Sequence, residues 1–449
     1  MNERLNNRTE GSQAEPLSIE ELEADVFAPP ALPVGRTVFS GGVLSALGHR
    51  DFRLLWTGAF ISNIGTWIHT AVLLWLVKLN YSNTWVGTVN MATYLPVIIF
   101  VLYAGSLADR LNRKKLIFVT QAVMMLGALA LGVYTGFGRS SLFVIMLITV
   151  VMGSAFAFNF PAWQAMLPDL VPAEDLLNGI ALNAAQFNLA RFIGPAICGL
   201  ILKFSGVSTA FYVNAASFLA VMLALSMMRT STPGYRTPRG GTSGHIREGL
   251  ALFKGNRWAV NILAVLGITS FFGLPYIVLM PSVARDVLGR NAGAYGWLLG
   301  LSGLGAVVGA PLVTYMSRFV RENWIIKLAV LGLGVFLVAF ALSEVYWLSL
   351  LLAVGLGTTY IMIGSVIGTV LQSRVERGIR GRVMSFYVLV LLGGFPLGGQ
   401  LMGYLSDVRS TRFALLLGGA ACLLLAIVII VLPGLTEDAV SNPAGDSVS

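Results

Sequence analysis

Charged residues are scarce in this sequence. Only 11% of its 449 residues are Asp, Glu, Lys or Arg, whereas 56% are hydrophobic. A typical soluble domain carries about 25% charged residues, which keep its surface compatible with water. The shortage of charge therefore excludes an ordinary water-soluble fold of this length.

Cysteine and histidine are also rare. Cys198 and Cys422 both fall inside apolar stretches, which excludes a disulfide framework and a zinc cluster. The three histidines, His49, His69 and His245, are too scattered along the chain for a metal site. We expect neither a metal ion nor another cofactor.

Motifs of enzymes and of ATP-driven proteins are absent from the sequence. It contains no Gly-x-x-x-x-Gly-Lys-Ser/Thr phosphate loop and no Gly-x-Ser-x-Gly nucleophile turn. A lipid-modifying membrane enzyme would need clustered catalytic His, Asp or Glu at the membrane edge, and no such cluster is present. We predict that the protein is not an enzyme.

Residues 1–50 lack the apolar centre of a cleavable signal peptide. They are acidic at first and then rich in proline, a composition that predicts a disordered tail. We therefore expect the first membrane-spanning helix to direct insertion.

The sequence does contain twelve long apolar runs. Each is near the roughly 20 residues that a helix needs to cross a hydrocarbon core. The pattern predicts an all-α integral membrane protein with twelve transmembrane helices. The runs are Phe52–Val77, Trp85–Leu107, Leu116–Phe137, Leu142–Phe160, Leu177–Phe204, Thr209–Met228, Trp258–Pro281, Tyr295–Met316, Trp324–Leu342, Tyr346–Leu371, Val383–Leu405 and Phe413–Leu432.

Lysine and arginine alternate strongly between the loops. One side of the membrane carries clusters around residues 110–115, 229–257, 318–321 and 374–382, and the other side carries only scattered basic residues. Since basic loops stay in the cytoplasm, we expect both termini on the cytoplasmic side of an inner membrane. The net charge of +9 then reflects topology and not nucleic-acid binding.

One long polar segment divides the chain into two sets of six runs. We predict a cytoplasmic tail over 1–50, a first six-helix half over 51–228, a linker over 229–257, a second half over 258–433 and a cytoplasmic tail over 434–449. Two parallel halves around a midplane site are a common transporter architecture. A faint internal repeat, Pro195 with Ser205 and Pro396 with Ser406, agrees with it.

The most specific motif lies between the second and third runs. Its sequence is Gly105-Ser-Leu-Ala-Asp109-Arg110-Leu-Asn112-Arg113-Lys114-Lys115-Leu116. It closely resembles the loop signature of the major facilitator superfamily, Gly-x-Leu-Ala-Asp-Arg-x-Gly-Arg-Lys-x-x. Asn112 replaces the second glycine, and asparagine tolerates left-handed backbone better than most residues.

Shorter motifs narrow this resemblance. Arg191-Phe-Ile-Gly194-Pro195-x-x-x-Gly199 resembles the exporter-associated signature of the same superfamily. The segments Asp51–Trp56, Leu167–Pro172 and Arg380–Val383 are similar to the branch that contains the enterobactin exporter and macrolide efflux proteins.

The resemblance implies gating roles for the motif residues. In the family, the aspartate that matches Asp109 pairs with the arginine that matches Arg113 and faces the amino end of the eleventh helix. A carboxylate there gains from the helix dipole. The residues expected to take part in gating are Gly105, Asp109, Arg110, Arg113, Gly194 and Pro195. Lys114 and Lys115 suit a simpler role, as orientation charges.

Polar residues in the spans are candidates for a substrate path. Asn63, Thr66 and His69 share one face of the first span, which should contact protein or a watery cavity. The resemblance implies that the first, fourth, seventh and tenth helices line the path, which adds Asn159, Tyr276 and Tyr360.

Arg191 is the only charge deep in a span, and Asn188 shares its face. Such a residue costs roughly 2.5–3.5 kcal/mol at a helix centre, so it needs partners. A structural role and a role in substrate binding or gating are equally compatible with the sequence.

His69 is the only mid-span side chain whose unperturbed pKa, about 6.5, lies near physiological pH. It is therefore a candidate proton carrier. The alternative, a neutral histidine that bonds Thr66 or Thr70 or contacts substrate, is favoured.

These observations predict a secondary active transporter that works by alternating access. We expect export of small amphipathic or siderophore-like molecules by a monomeric, ion-gradient-driven antiporter in the lipid bilayer, with protons as the candidate coupling ion. Uptake by the same fold is the nearest alternative, since fold does not set direction. A membrane sensor without transport is a further alternative.

We expect Asp109→Asn to leave membrane expression near normal while it cuts transport, because the motif places Asp109 in gating. Quantified expression and flux in vesicles check this, with Lys115→Gln as the matched change of a loop charge. Normal flux in Asp109→Asn would contradict the gating role.

Overall fold

A computed structural model describes residues 44–230, 257–375, 377–432 and 434–437. Residues 1–43 of the predicted disordered tail, nearly all of the linker and the end of the C-terminal tail lie outside these residues. Residues 44–50 of that tail are described: Ser45–Gly48 form a 3-10 turn, and His49 Nε2 lies 2.7 Å from Asp175 Oδ2. Within the helices, the side chains of residues 101, 102, 105, 106, 108–110, 377–382, 385, 434 and 437 are also outside the description.

Twelve long helices run through the described residues. They are α1 (Arg50–Asn80), α2 (Asn83–Arg110), α3 (Arg113–Gly136), α4 (Leu142–Met166), α5 (Leu176–Phe204), α6 (Gly206–Met227), α7 (Arg257–Val287), α8 (Ala292–Met316), α9 (Glu322–Leu342), α10 (Tyr346–Arg374), α11 (Arg377–Val408) and α12 (Thr411–Val431). Eleven of them are long and apolar enough to cross a membrane.

The outer surface of the helices is apolar. Phe143, Leu351 and Val431 are 75%, 71% and 67% exposed. Large apolar side chains in such number on a surface indicate contact with lipid and not with water. The all-α, twelve-helix prediction is confirmed.

The two sets of six helices pack in the same pattern. In the first, α1 packs on α5 and α6, α2 on α4, and α3 on α4 and α6. In the second, α7 packs on α11 and α12, α8 on α10, and α9 on α10 and α12. Each helix of one set thus has a counterpart six places on, and α5 with Pro195 corresponds to α11 with Pro396.

The bundle has two distinguishable ends. The end that holds the loops near residues 111, 172, 229, 319 and 376 is called the basic end, and the opposite one is called the far end. At the basic end, Asp51 accepts hydrogen bonds from the backbone N–H groups of Arg229 and Thr230 at 2.9 and 2.8 Å, which fixes the exit from α6 to the start of α1.

The two halves meet along α5 with α8 and along α2 with α11. At the first interface, a Cβ added to Gly296 would lie 2.5 Å from Pro195 O and 2.7 Å from Gly199 Cα. A Cβ on Gly303 would lie 2.5 Å from Arg191 O. The helix backbones therefore touch directly, as small residues allow in membrane helices.

Other glycines of α8 pack against α10, which belongs to the same half. A Cβ on Gly309 would lie 2.8 Å from Thr358 O of α10, and Gly305 lies against Val354 of α10. Gly305 and Gly309, four residues apart, thus let α8 and α10 approach closely.

Polar contacts close the far end across the halves. Asp407 of α11 accepts hydrogen bonds from the backbone N–H groups of Asn83 and Thr84 at 2.9 and 2.7 Å, and from the Thr84 hydroxyl at 2.6 Å. These N–H groups are unpaired at the start of α2, so Asp407 caps a helix of the other half. We call Asn83, Thr84 and Asp407 the far-end cap.

An ion pair adds to this closure. Lys78 Nζ at the end of α1 lies 2.6 Å from Asp286 Oδ2 at the end of α7. Tyr295 Oη of α8 donates to Ala71 O of α1 at 3.2 Å, and its ring stacks on Trp75. The described contacts between the halves thus lie at the far end and near the middle of the helices.

We expect Gly296→Ala to shift the equilibrium toward a state open at the far end, because the added Cβ would lie 2.5 Å from Pro195 O. Spin labels at Phe204 and Arg290, in a background without Cys198 and Cys422, should report a longer distance. The matched control is Gly309→Ala, which crowds the same helix within one half. An unchanged distance distribution in Gly296→Ala would contradict the contact.

Candidate substrate site between the halves

Arg191 lies near the middle of α5, where α5 touches the other half. It is 8% exposed, and its backbone oxygen packs against Gly303 of α8. Its guanidinium carbon lies 5.3 Å from the centre of the Trp67 ring of α1. Among the described residues, it has no hydrogen-bond or ion-pair partner.

The Trp67 contact offsets part of the cost of this buried charge. A desolvated cation on an aromatic face gains about 2 kcal/mol, against roughly 2.5–3.5 kcal/mol for an arginine at a helix centre. Gly194 makes the contact possible, because a Cβ there would lie 2.5 Å from Trp67 Cβ. The motif glycine thus lets α5 approach α1 closely.

Three tyrosines surround the charge. The hydroxyls of Tyr94 in α2, Tyr276 in α7 and Tyr360 in α10 are all within electrostatic range of Arg191. Tyr94 belongs to the first half and the other two to the second. The site therefore spans both halves, with one cation among aromatic rings and hydroxyl groups.

A break in α7 positions Tyr276. The helix is interrupted by a π-turn over Thr269–Gly273, and Leu274 N donates to Thr269 O at 3.1 Å. Pro275 follows and has no N–H to continue the helix. Tyr276 then begins a second helical segment and places its hydroxyl 2.6 Å from Ser302 Oγ of α8. Such π-turns are frequent at functional sites.

A polar network extends from this region toward the basic end. Asn63 Nδ2 of α1 donates to Gln186 Oε1 of α5 at 3.1 Å, and Gln186 Nε2 donates to Asn183 Oδ1 at 3.2 Å. Thr66 bonds the carbonyl oxygen of Ser62 on its own helix at 3.0 Å. Asn63 and Thr66 were predicted from the sequence, whereas Gln186, Asn183 and Ser302 were not, because a polar residue in a span carries no sign of its partner.

Two candidate path residues lie elsewhere. Asn159 is 6% exposed and donates to Thr120 Oγ1 at 2.8 Å, so it joins α4 to α3. Asn188 donates to Ala184 O of its own helix at 2.9 Å and not to Arg191. The expected pairing of Asn188 with Arg191 is not formed, because a helical wheel shows which residues share a face but not what that face contacts. A substrate role for Asn159 stays a prediction.

His69 also lies away from the site in this conformation. It is 9% exposed, and its ring packs edge-on against Phe211 of α6 with the centres 5.2 Å apart. Its Nδ1 has no hydrogen-bond partner among the described residues. The expected bonds to Thr66 or Thr70 are not formed, since Thr70 donates to Thr66 O instead.

The predicted gating residues are only partly described. The side chains of Asp109 and Arg110, together with Gly105, lie outside the described side chains of α2. Arg113 is buried, and its Nη1 donates to Ala165 O at 2.6 Å and to Asp169 Oδ2 at 3.0 Å. Pro195 of α5 packs against α8, and its carbonyl oxygen lies against Gly296.

Asp169 was missed as a partner of the loop motif. It lies within the short 3-10 turn Leu167–Leu170 that follows α4, so the pair ties the start of α3 to the end of α4. In the sequence, the segment Leu167–Pro172 indicated only a branch-specific motif. A signal was available, because an aspartate at the basic end needs a basic partner.

Comparisons with known proteins agree with this geometry. The sequence profile of a family described as transmembrane secretion effector, in the major facilitator superfamily, matches residues 41–444. The chain belongs to this family. Among the described residues no cluster could hold a metal ion. The protein is a multi-pass membrane transporter and not an enzyme.

Curated relatives cover most of the chain. The multidrug efflux pump Tap of Mycolicibacterium fortuitum is 28% identical over 405 residues, which are 87% of this chain and 98% of that protein. The enterobactin exporter EntS of Escherichia coli is 25% identical over 392 residues, 84% of this chain and 92% of that protein. The staphyloferrin A transporter of Staphylococcus aureus is 24% identical, over 79% and 89% of the two chains.

Solved structures share the fold. A bacterial homologue of the human lysosomal transporter Spinster, in an inward-facing and unoccupied conformation, superposes with a TM-score of 0.65 at 14% identity, over 89% of this chain and 97% of that one. The nucleoside transporter NupG gives a TM-score of 0.65 at 13% identity, over 87% and 99% of the two chains.

We expect His69→Leu to retain transport with an unchanged pH dependence, because removing a buried, unpaired polar group is neutral or stabilising. Dye efflux across a series of external pH values checks this. Phe211→Ala is the companion variant, and its loss of a buried aromatic ring should cost about 3–5 kcal/mol of stability. Loss of gradient-driven transport in His69→Leu would instead support the proton-carrier hypothesis.

Proposed function

We propose that this transporter exports small amphipathic or siderophore-like molecules by alternating access. The observation that carries the proposal is the site around Arg191, built from residues of both halves near the middle of the helices. A site between two pseudo-equivalent halves is where rocking can expose a bound molecule to one side and then the other.

The far end is the side that we assign to the exterior. Basic loops favour the cytoplasm, and the loop residues Arg113 and Lys114 lie at the opposite end from the far-end cap. With this orientation, both termini are cytoplasmic in an inner membrane. A transporter that is closed at the far end then takes its substrate from the cytoplasm.

Export is supported over uptake by two observations. The relatives include proteins named as a multidrug efflux pump and an enterobactin exporter. The Arg191–Gly199 segment, which resembles the exporter-associated signature, forms the contact between α5 and α8. The residues proposed to act in gating, Gly194 and Pro195, therefore lie on the surface that must move.

An ion gradient is the proposed driving force, with protons as the candidate ion. The described ionisable side chains that form ion pairs lie at the ends of the helices, near the edges of the membrane. Arg113 with Asp169 is one such pair at the basic end. We propose a monomeric unit, since both halves of the site come from one chain.

Everted membrane vesicles test the direction. Their outer surface is the cytoplasmic face, so energised vesicles should accumulate enterobactin or one of a panel of amphipathic dyes of either charge. Accumulation should stop when an ionophore collapses the proton gradient, and vesicles without the protein are the control.

Three results would contradict parts of the proposal. Accumulation only in right-side-out vesicles would indicate uptake. Accumulation that survives loss of the proton gradient would indicate another driving force. Binding of a panel member by the purified protein, with no flux in either vesicle type, would indicate a sensor.

A further inference from the structure

The positive charge of Arg191 is not neutralised by any carboxylate among the described residues. The spans have no acidic residue near their middle. The described acidic side chains at the helix ends have partners of their own, as in Asp169 with Arg113, Asp286 with Lys78 and Asp407 with Thr84. The site therefore has a net positive charge at mid-membrane depth.

Two polar neighbours of Arg191 are engaged with other groups. Asn188 donates to Ala184 O. The hydroxyl of Tyr276 is paired with Ser302. The guanidinium lies against the Trp67 face, which offers no hydrogen-bond acceptor to its five N–H groups, and it has no hydrogen-bond partner among the described residues. A ligand at this point is thus required to supply acceptors.

The aromatic side chains around Arg191 determine which chemical body the rest of the ligand must have. Trp67 lies against the guanidinium, and Tyr94, Tyr276 and Tyr360 are within electrostatic range of it. Tyr94 packs edge-on against Phe395 of α11 with the centres 5.5 Å apart. Flat aromatic or apolar bodies suit such walls. A cationic ligand would be repelled by Arg191, since charges interact strongly where water is excluded.

We propose that Arg191 binds an oxyanion, such as a carboxylate or phenolate, carried on an aromatic or apolar body. A guanidinium matches two oxygens of a carboxylate with parallel hydrogen bonds. This inference rests on the proposed function, in which the central site holds the transported molecule. It assigns that molecule a chemical class: amphipathic anions.

Two xanthene dyes test the sign of the charge. 5-Carboxyfluorescein is an anion, and rhodamine 123 is a cation with a similar ring system. Fluorescence polarisation with the purified full chain in nanodiscs should give an affinity at least about tenfold higher for 5-carboxyfluorescein, equivalent to about 1.4 kcal/mol. Binding is measured without flux, so the result is independent of whether the protein transports either dye.

Variants assign the preference to Arg191. Arg191→Gln should abolish the preference for the anion, and Arg191→Lys should retain part of it because the charge remains while the paired donors are lost. The control is Lys203→Gln, which removes an exposed charge from the same helix. It should leave the preference unchanged.

A competition with the wild-type chain keeps the test independent of variant folding. 1-Naphthoate should displace 5-carboxyfluorescein, and 1-naphthamide, which has the same rings without the charge, should displace it at least about tenfold less well. Equal affinity for the two dyes, a preference for rhodamine 123, binding of neither dye, or a preference that survives Arg191→Gln would each overturn the inference. Anion-selective binding without export would overturn the proposed function and leave this site intact.

Discussion

At Gly296 and Gly303, α8 presents no side chain to α5, and the two helix backbones touch. Gly87 and Gly403 give α2 and α11 the same kind of contact, since a Cβ on Gly87 would lie 2.7 Å from Gly399 O. In lipid no hydrophobic effect drives helices together, so association depends on such close packing. Helix surfaces without interlocking side chains also offer the least resistance when one helix rotates or slides against the other. The interface that joins the halves is thus the one best suited to a change of angle between them.

We propose that carboxylates at the amino ends of two helices give that change two stable positions. Asp407 caps the start of α2 at the far end, and the family resemblance implies that Asp109 faces the start of α11 at the basic end. Each contact involves the same two helices, α2 and α11, at opposite ends. A carboxylate in this position gains up to about 2 kcal/mol in a partly buried setting. Rocking that forms one contact separates the other, so each favours a different state.

The sequence predicts most of the fold and less of the site. Apolar run length is enough to place the helices, because the membrane imposes their length; the run Trp258–Pro281, for example, lies inside α7 at Arg257–Val287. Run length does not predict which neighbouring helix a given side chain contacts. His69 and Asn63 share a helical face, yet Asn63 reaches Gln186 of α5 while His69 packs on Phe211 of α6. A face wide enough to hold both touches two neighbours, and only packing decides which residue meets which.

Arg191 was visible in the sequence because charge in a span is costly, and its structural role could not be separated from a functional one there. The contacts favour the functional role. A structural arginine would bind carbonyl oxygens or a carboxylate, whereas this guanidinium lies on Trp67 in its own half, with Tyr276 and Tyr360 of the other half close by. Its helix, α5, also forms the glycine contact with α8. A negatively charged molecule at Arg191 would therefore lie beside the contact along which the halves move, where neutralising the charge lowers the cost of bringing the aromatic walls together around it.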